Sequence, residues 1–171
     1  PLAYDGEGNL WGGGSTGVWI VQPSGAPVNV TSADGLPSDN VYQIAFAPDG
    51  ITWVATAAGV AKLQDAKVVE VFNSNIWGGD NDYTPSVFFA SDGALWVGRD
   101  GAVSRMTSDG EWEHFEKGSP FTDSFYRAFA FAEDASGSIW VATYGEGVYR
   151  FSDGTWENFT PNTPRVNLPS P

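Results

Sequence analysis

The stretch Ile139-Trp140-Val141-Ala142-Thr143 decides the fold, because versions of it occur four times along the chain. The other three versions are Leu10-Trp11-Gly12-Gly13, Thr52-Trp53-Val54-Ala55-Thr56 and Leu95-Trp96-Val97-Gly98. Successive tryptophans are 42, 43 and 44 residues apart. A fixed period of roughly 40–50 residues is the mark of a repeat architecture, in which each repeat is one supersecondary unit. The chain therefore consists of four repeats of about 43 residues.

Each tryptophan phrase lies between two glycine-containing turns: the turn Ser91-Asp92-Gly93 precedes Trp96, for example, and the turn after Trp140 leads into the strand Gly147-Val148-Tyr149-Arg150-Phe151. An alternating strand follows the second turn, another strand follows that, and an apolar strand such as Val41–Phe46 precedes the first turn. Each repeat is thus predicted to hold four short strands and no helix. Four-stranded repeats of this length predict an all-β fold, a β-propeller of antiparallel blades. A solenoid of β-arches is the alternative.

Composition limits the classes of function that need to be considered. The chain has 171 residues, no Cys, one His and a formal net charge of −13. The absence of Cys excludes disulfides, Cys-ligated zinc and a thiol nucleophile. Strong negative charge repels the phosphate backbone, so no nucleic-acid partner is expected. No apolar run approaches the 18 or so residues of a membrane span, so no membrane insertion is expected.

The segment Gly35-Leu36-Pro37-Ser38-Asp39-Asn40-Val41-Tyr42, followed by Pro48-Asp49-Gly50, resembles the two-component regulator propeller repeat. Asp153-Gly154-Thr155-Trp156-Glu157-Asn158-Phe159-Thr160 resembles the same repeat, and the resemblance extends over residues 2–160. It implies a seven-bladed bacterial propeller that senses a ligand outside the cytoplasm. The Gly-Leu-Pro link is present once only, and the segments 73–85 and 116–125 replace it elsewhere. The sequence shows no kinase or receiver segment.

Four repeats are fewer than the seven that the resemblance implies. The expected blades are residues 1–31, 32–73, 74–116 and 117–160, the first of which lacks part of its inner strand. The ring is therefore four-bladed, completed by a second chain, or continued by further blades of a longer polypeptide. Residues 161–171 contain four prolines and are predicted to form a tail or linker.

Loops are the expected place for a site, because the strands are committed to packing. The most irregular loop contains Trp77, Asp80, Asn81, Asp82 and Tyr83. Aromatic rings beside Asp and Asn are typical of sugar-binding surfaces, where rings stack on C–H faces and polar groups bind hydroxyls. Further candidate ligand-binding residues lie in the other loops that we expect on the same face: Arg99, Phe121, Asp123, Tyr126, Tyr144 and Glu146. The competing interpretation is that the rings fill gaps between blades.

No catalytic constellation is visible, and no cofactor is expected. Asp80 and Asp82 carry the oxygen donors that calcium prefers, although an exposed acidic loop is the favoured explanation. The sequence favours a non-catalytic, periplasmic or extracellular sensor propeller that binds a glycan or another small ligand. The alternatives are a structural or protein-interaction scaffold and, third, a propeller lyase or other carbohydrate-active enzyme.

Overall fold

The computed structural model describes residues 1–79, 81–118, 120–122 and 125–160. The chain divides into two compact units, unit 1 (Pro1–Val87) and unit 2 (Phe88–Pro171). The proline-rich segment 161–171 that we expected to form a tail lies outside the described residues. Among the described residues, no helix has the length and apolar character that crossing a membrane requires.

The strands form four antiparallel sheets in chain order. Sheet 1 contains β1 (Leu2–Tyr4), β2 (Leu10–Gly14), β3 (Gly17–Val21) and β4 (Val28–Val30). Sheet 2 contains β5 (Val41–Phe46), β6 (Thr52–Thr56), β7 (Gly59–Gln64) and β8 (Lys67–Phe72). Sheet 3 contains β9 (Ser86–Phe89), β10 (Leu95–Arg99), β11 (Ala102–Met106) and β12 (Trp112–Lys117), and sheet 4 contains β14 (Ala128–Glu133), β15 (Ile139–Thr143), β16 (Val148–Ser152) and β17 (Thr155–Phe159).

The structure adds three elements that the repeat pattern did not predict. A 3-10 turn covers Ser32–Asp34, and α1 (Ser74–Trp77) is a single helical turn. The side chain of Asn73 caps α1 by accepting a hydrogen bond from the Asn75 amide at 3.1 Å. Strand β13 (Pro120–Phe121) pairs in parallel with β12, which makes sheet 3 five-stranded. The prediction of no helix was therefore wrong at α1, where local capping outweighs the repeat pattern.

Three of the four repeated tryptophans, Trp11, Trp53 and Trp96, are buried, and Trp140 is half-buried. In unit 1, Trp11 of sheet 1 packs in one apolar cluster with Ile44 and Val54 of sheet 2. In unit 2, Trp96 of sheet 3 packs in a second cluster with Val141 and Tyr149 of sheet 4. Each cluster lies between two consecutive sheets of its own unit, so burial of these faces stabilises the stacking of each pair.

Three of the four tryptophans also have a cationic partner directly opposite on the neighbouring strand. Trp53 pairs with Lys62, Trp96 with Arg105, and Trp140 with Arg150 in the strand register. The charged groups lie 5.7, 5.4 and 5.5 Å from the respective ring centroids. Cations within about 6 Å of an indole are attracted by its negative face. These three cationic side chains therefore contribute to packing within their own sheets.

Candidate functional site

Two inner strands carry a bulge at the same position. The register of β5 shifts between Val41 and Gln43, and that of β14 shifts between Ala128 and Ala130. The residues skipped are Tyr42 and Phe129, and both side chains are exposed. A bulge leaves one residue unpaired and turns its side chain away from the regular alternation. Each bulge therefore presents an aromatic ring to solvent at the start of an inner strand.

In unit 2 the bulged residue is part of a larger aromatic surface, formed by Tyr126, Arg127, Phe129 and Tyr144. The ring of Tyr144 lies 5.9 Å from that of Tyr126 and 6.0 Å from that of Phe129. The exposed fractions of Tyr126, Phe129 and Tyr144 are 51%, 41% and 62%. A group of three large exposed rings, two of which pack on the third, is unusual outside binding surfaces, because single exposed apolar residues are the ordinary case.

Arg127 holds this aromatic surface in place. Its guanidinium forms a two-point ion pair with the Asp100 carboxylate, in which Nη2 lies 3.0 Å from Oδ2. The same guanidinium lies 4.8 Å from the Tyr126 ring centroid and 5.6 Å from that of Phe129. A two-point ion pair between a carboxylate and a guanidinium fixes the orientation of both groups. The rings are therefore oriented before any ligand arrives.

The backbone beneath the aromatic surface is fixed as well. The amide of Gly101 donates to the Tyr126 carbonyl at 2.7 Å, and the amide of Tyr144 donates to the Arg127 carbonyl at 3.0 Å. The segment that carries Tyr126 and Arg127 is thus bound to the β10–β11 hairpin on one side and to the β15–β16 hairpin on the other. A rigid surface of this kind loses little conformational entropy on binding.

Unit 1 places a second, smaller group at the start of its inner strand. The rings of Tyr42 and Tyr83 lie 5.0 Å apart. Asp82 accepts a hydrogen bond from the Ser74 amide at 2.5 Å, and Asn81 accepts one from the Tyr83 amide at 2.9 Å. The predicted loop residues Asn81, Asp82 and Tyr83 therefore lie near α1 and near Tyr42, with both polar side chains engaged in local turns.

Three of the predicted ligand-binding residues are interior residues. Trp77 is buried and anchors α1, and Phe121 stacks on Phe125 at 4.1 Å within the core of unit 2. Arg99 is buried and its Nη2 forms an ion pair with Glu116 Oε1 at 2.9 Å. All three side chains therefore present little surface to solvent.

Glu146 is engaged both by its own hairpin and by the segment that precedes β14. Its carboxylate accepts hydrogen bonds from the Tyr149 hydroxyl at 2.8 Å and from the Thr122 hydroxyl. Burial, followed by the hydrogen bond and charge of Glu146, raises the pKa of Tyr149 above its ordinary value. The pair therefore supports the turn that carries Tyr144.

Asp80 and Asp123, both predicted ligand-binding residues, lie outside the described residues. The predicted calcium site at Asp80 and Asp82 therefore stays a prediction. Within residues 1–79, 81–118, 120–122 and 125–160, no group of three or more His, Asp or Glu side chains is arranged to hold a metal ion.

Of the predicted residues, Tyr126 and Tyr144 come together, while Tyr83 joins Tyr42 in unit 1. Sequence reasoning did not select Arg127 and Phe129. Phe129 lies in a run of alternating aromatic and small residues, Tyr126-Arg127-Ala128-Phe129-Ala130-Phe131, which predicts an ordinary strand. The bulge that turns Phe129 outward leaves no clear sequence signal. The pairing of Arg127 with Asp100, 27 residues away, has none either.

The fold is that of a β-propeller, which several solved structures share. The extracellular domain of the hybrid two component system protein BT3049 from B. thetaiotaomicron matches 95% of this chain with a TM-score of 0.76 and 23% identity. The extracellular domain of BT4673 from the same organism matches 92% of it with a TM-score of 0.77 and 21% identity. Virginiamycin B lyase from Staphylococcus aureus matches 95% with a TM-score of 0.74 and 18% identity.

Residues 35–58 match the family model of the two component regulator propeller. The family resemblance that the sequence indicated is thereby confirmed over the Gly35-Leu36-Pro37 repeat. The chain spans 23% and 21% of the two extracellular domains and 55% of the lyase. No curated protein sequence matches the chain significantly.

Proposed function

We propose that this chain is a non-catalytic ligand-recognition module that binds a neutral glycan on the aromatic surface of unit 2. The observation that carries the proposal is the exposure of three rings, Tyr126, Phe129 and Tyr144, with Tyr144 in contact with the other two. Such rings stack on the C–H faces of sugars, and the tyrosine hydroxyls donate to and accept from sugar hydroxyls.

Charge favours a neutral ligand over an anionic one. The formal net charge of the chain is −13, which repels anions at long range. The guanidinium of Arg127 is already neutralised by Asp100, so it stabilises the rings and leaves no strong attraction for a free carboxylate. Oligosaccharides without acidic groups meet no such penalty.

An extracytoplasmic location and a sensor role belong to the same proposal. They are supported by the similarity to extracellular domains of B. thetaiotaomicron regulatory proteins and by the match at residues 35–58. In this proposal the propeller supplies recognition, and any signal is generated elsewhere.

The experiment is calorimetric titration of the whole chain with neutral xylo-, cello- and manno-oligosaccharides. We expect one series to bind, and Tyr144→Ala to weaken that binding by about tenfold or more, since aromatic contacts dominate such surfaces. Tyr4→Ala is the matched control, because Tyr4 is an equally exposed tyrosine in unit 1. Equal binding by Tyr144→Ala and Tyr4→Ala would remove the aromatic surface from the proposal.

A protein-interaction scaffold is the second candidate, and a specific surface favours it. In sheet 1, Leu2 and Trp19 share one register row with Gly12, and Tyr4 and Val21 share another with Leu10. Rows two residues apart lie on the same face of a sheet, and all four of these side chains are exposed. An apolar sheet face of this kind is suited to a further blade or a second copy of the chain. Sedimentation analysis of the wild type and of Trp19→Thr tests this: concentration-dependent association that Trp19→Thr abolishes supports it, and a monomer at all concentrations contradicts self-association.

A further inference from the structure

A cleft of about 370 Å³ opens in unit 2, away from the aromatic surface. It is lined by the β14–β15 turn at Ser136, by the β16–β17 turn at Asp153, and by Trp96, Arg105 and Glu113 of sheet 3. The aromatic surface includes Tyr144 in the β15–β16 turn. Because successive hairpins alternate between the two ends of an antiparallel sheet, the cleft and the aromatic surface lie at opposite ends of sheet 4. The volume falls in the roughly 300–1,000 Å³ range of small-molecule sites.

Trp96, which lines this cleft, lacks the acceptor that two of the other three repeat tryptophans possess; the position six residues before Trp53 is also an alanine, Ala47. Trp11 Nε1 donates to Asp5 Oδ2 at 2.8 Å, and Trp140 Nε1 donates to Asp134 Oδ2 at 2.8 Å. Both carboxylates stand six residues before their tryptophan. The residue six before Trp96 is Ala90, in a turn with the same backbone hydrogen bond. Trp96 Nε1 is buried and has no hydrogen-bond partner among the described residues.

A second buried donor beside the indole, Arg105 Nε, also lacks an acceptor in the described part of the chain. Arg105 lies with its guanidinium carbon 5.4 Å from the Trp96 ring centroid. Its Nη2 is 3.0 Å from Asp92 Oδ2 and its Nη1 is 3.2 Å from Glu113 Oε2. Its Nε is buried without a partner among the described residues. A buried donor that stays unpaired destabilises the structure, so each N–H favours an occupant with an acceptor oxygen.

The surrounding charges restrict which oxygen can enter. The carboxylates of Asp92, Glu113 and Asp153 line the cleft with one guanidinium, so the lining is acidic overall. An anionic ligand would be repelled, and an ammonium ion would leave both N–H donors unpaired. A hydroxyl group accepts from the N–H donors and donates to the carboxylates. Phe151, which also lines the cleft, supplies an apolar ring face.

From this arrangement we infer that the cleft is a binding site for a neutral polyhydroxylated small molecule, a monosaccharide or polyol, whose hydroxyl oxygen replaces the carboxylate that Trp96 lacks. The site is independent of the aromatic surface, since the two share no residue and lie at opposite ends of sheet 4. Its failure and the failure of the proposed function are therefore separable.

The test follows the Trp96 indole resonance by ¹H–¹⁵N NMR, assigned with Trp96→Phe. The probes are methyl α-mannoside, maltose and myo-inositol, with glucuronate and glucosamine as charged counterparts. Ala90→Asp supplies the protein with the carboxylate found before Trp11 and Trp140. Ser136→Tyr fills the cleft from the turn, and Ala135→Tyr is its matched control because Ala135 is exposed in the same turn and does not line the cleft.

We expect a neutral probe to shift the Trp96 resonance saturably, with about tenfold weaker binding in Ala90→Asp and Ser136→Tyr. Ala135→Tyr and Tyr144→Ala should bind as the wild type does. If Ala90→Asp does not fold, the Ser136→Tyr and Ala135→Tyr pair still decides. The inference is overturned if no neutral probe moves the resonance up to about 20 mM, which would detect millimolar binding. Equal binding by Ser136→Tyr and Ala135→Tyr overturns it as well.

Discussion

Sheets 3 and 4 are built from the same sequence pattern, yet they stabilise their central tryptophans by different means. Trp140 donates a hydrogen bond to Asp134, whose carboxylate also accepts from the Ser136 and Ser138 amides. Trp96 has Ala90 in place of that carboxylate and is only 1% exposed, among Phe115, Phe131, Phe151 and Trp156. The same position of the repeat is therefore stabilised in two ways: by hydrogen bonds to Asp134 in sheet 4, and in sheet 3 by aromatic packing, mostly against side chains of sheet 4.

The largest expected effect is that of Trp96→Ala. Truncation of a fully buried aromatic residue costs about 3–5 kcal/mol of unfolding free energy, since it leaves a cavity. Trp140→Ala should cost less, because the Trp140 side chain is only half-buried. Urea unfolding followed by circular dichroism measures both. Equal losses would contradict the distinction between the two sheets.

The next effect compares the β15–β16 and β10–β11 hairpins. Gly147 and Gly101 have φ values of +76° and +73°, so alanine at either position is strained by about 1–2 kcal/mol. A Cβ at Gly147 would lie 2.2 Å from the Phe159 carbonyl oxygen, whereas at Gly101 the nearest atom is Lys117 Cδ at 3.9 Å. Gly147→Ala should therefore cost about 1–3 kcal/mol more than Gly101→Ala, as forced overpacking does. Urea midpoints that agree within error would show that sheet 4 relaxes around the new methyl group.

Asp134→Ala should lower the melting temperature more than Asp92→Ala does. Asp134 accepts from two amides, a serine hydroxyl and an indole, while Asp92 accepts from the Ala94 amide and Arg105. Differential scanning calorimetry at neutral pH measures the difference. The reverse order would mean that the Asp92–Arg105 ion pair stabilises the protein more than the hydrogen bonds of Asp134 do.

Low pH should weaken the contribution of Asp134 to stability. Hydrogen bonds from the Ser136 hydroxyl, then from the Trp140 indole and the turn amides, lower the pKa of Asp134 to about 2 from 3.8. A carboxyl with a lowered folded-state pKa stabilises the fold fully above its unfolded pKa. That contribution is lost as the pH falls from 3.8 through about 2. Urea midpoints between pH 5 and pH 2 should therefore fall less steeply in Asp134→Asn than in the wild type. Parallel curves would contradict this.

The smallest effect concerns His114, which occupies the place in sheet 3 that Asn158 has in sheet 4. Its Nδ1 lies 2.9 Å from Ser104 Oγ. Burial, with the positive charge of Arg99, lowers the pKa of His114 below 6.5 against the opposing effect of Glu116. The unfolded chain then binds the proton more readily, so stability is full above pH 6.5 and falls slightly below it. In His114→Asn, the urea midpoint should therefore change less between pH 7 and pH 5 than it does in the wild type. An unchanged slope would show that Ser104 accommodates the charged ring.

Much of the fold follows from the sequence, because turns and alternation are local signals. The spacing of Trp11, Trp53, Trp96 and Trp140 predicted the four sheets, and the glycine turns predicted their hairpins. The site was less predictable, because its geometry is not local. Loop position alone selected Tyr126 and Tyr144, but Arg127 acts through Asp100 and Phe129 through a bulge. Nothing in the residues near Trp96 shows that its indole nitrogen lacks an acceptor until Ala90 is compared with Asp5 and Asp134.

The short strand β13 has a consequence for how the chain resists aggregation. The outer strand of a sheet exposes unpaired amides and carbonyls that can recruit a strand from another molecule. In sheet 3 that edge is occupied by β13 of the same chain, which pairs with Glu116 and Lys117 of β12. Its first residue, Pro120, has no amide hydrogen that could bond to a strand of another molecule. The buried ring of Phe121 anchors β13 in the core, so the end of β12 at Glu116 and Lys117 is closed to strands of other molecules by the chain itself.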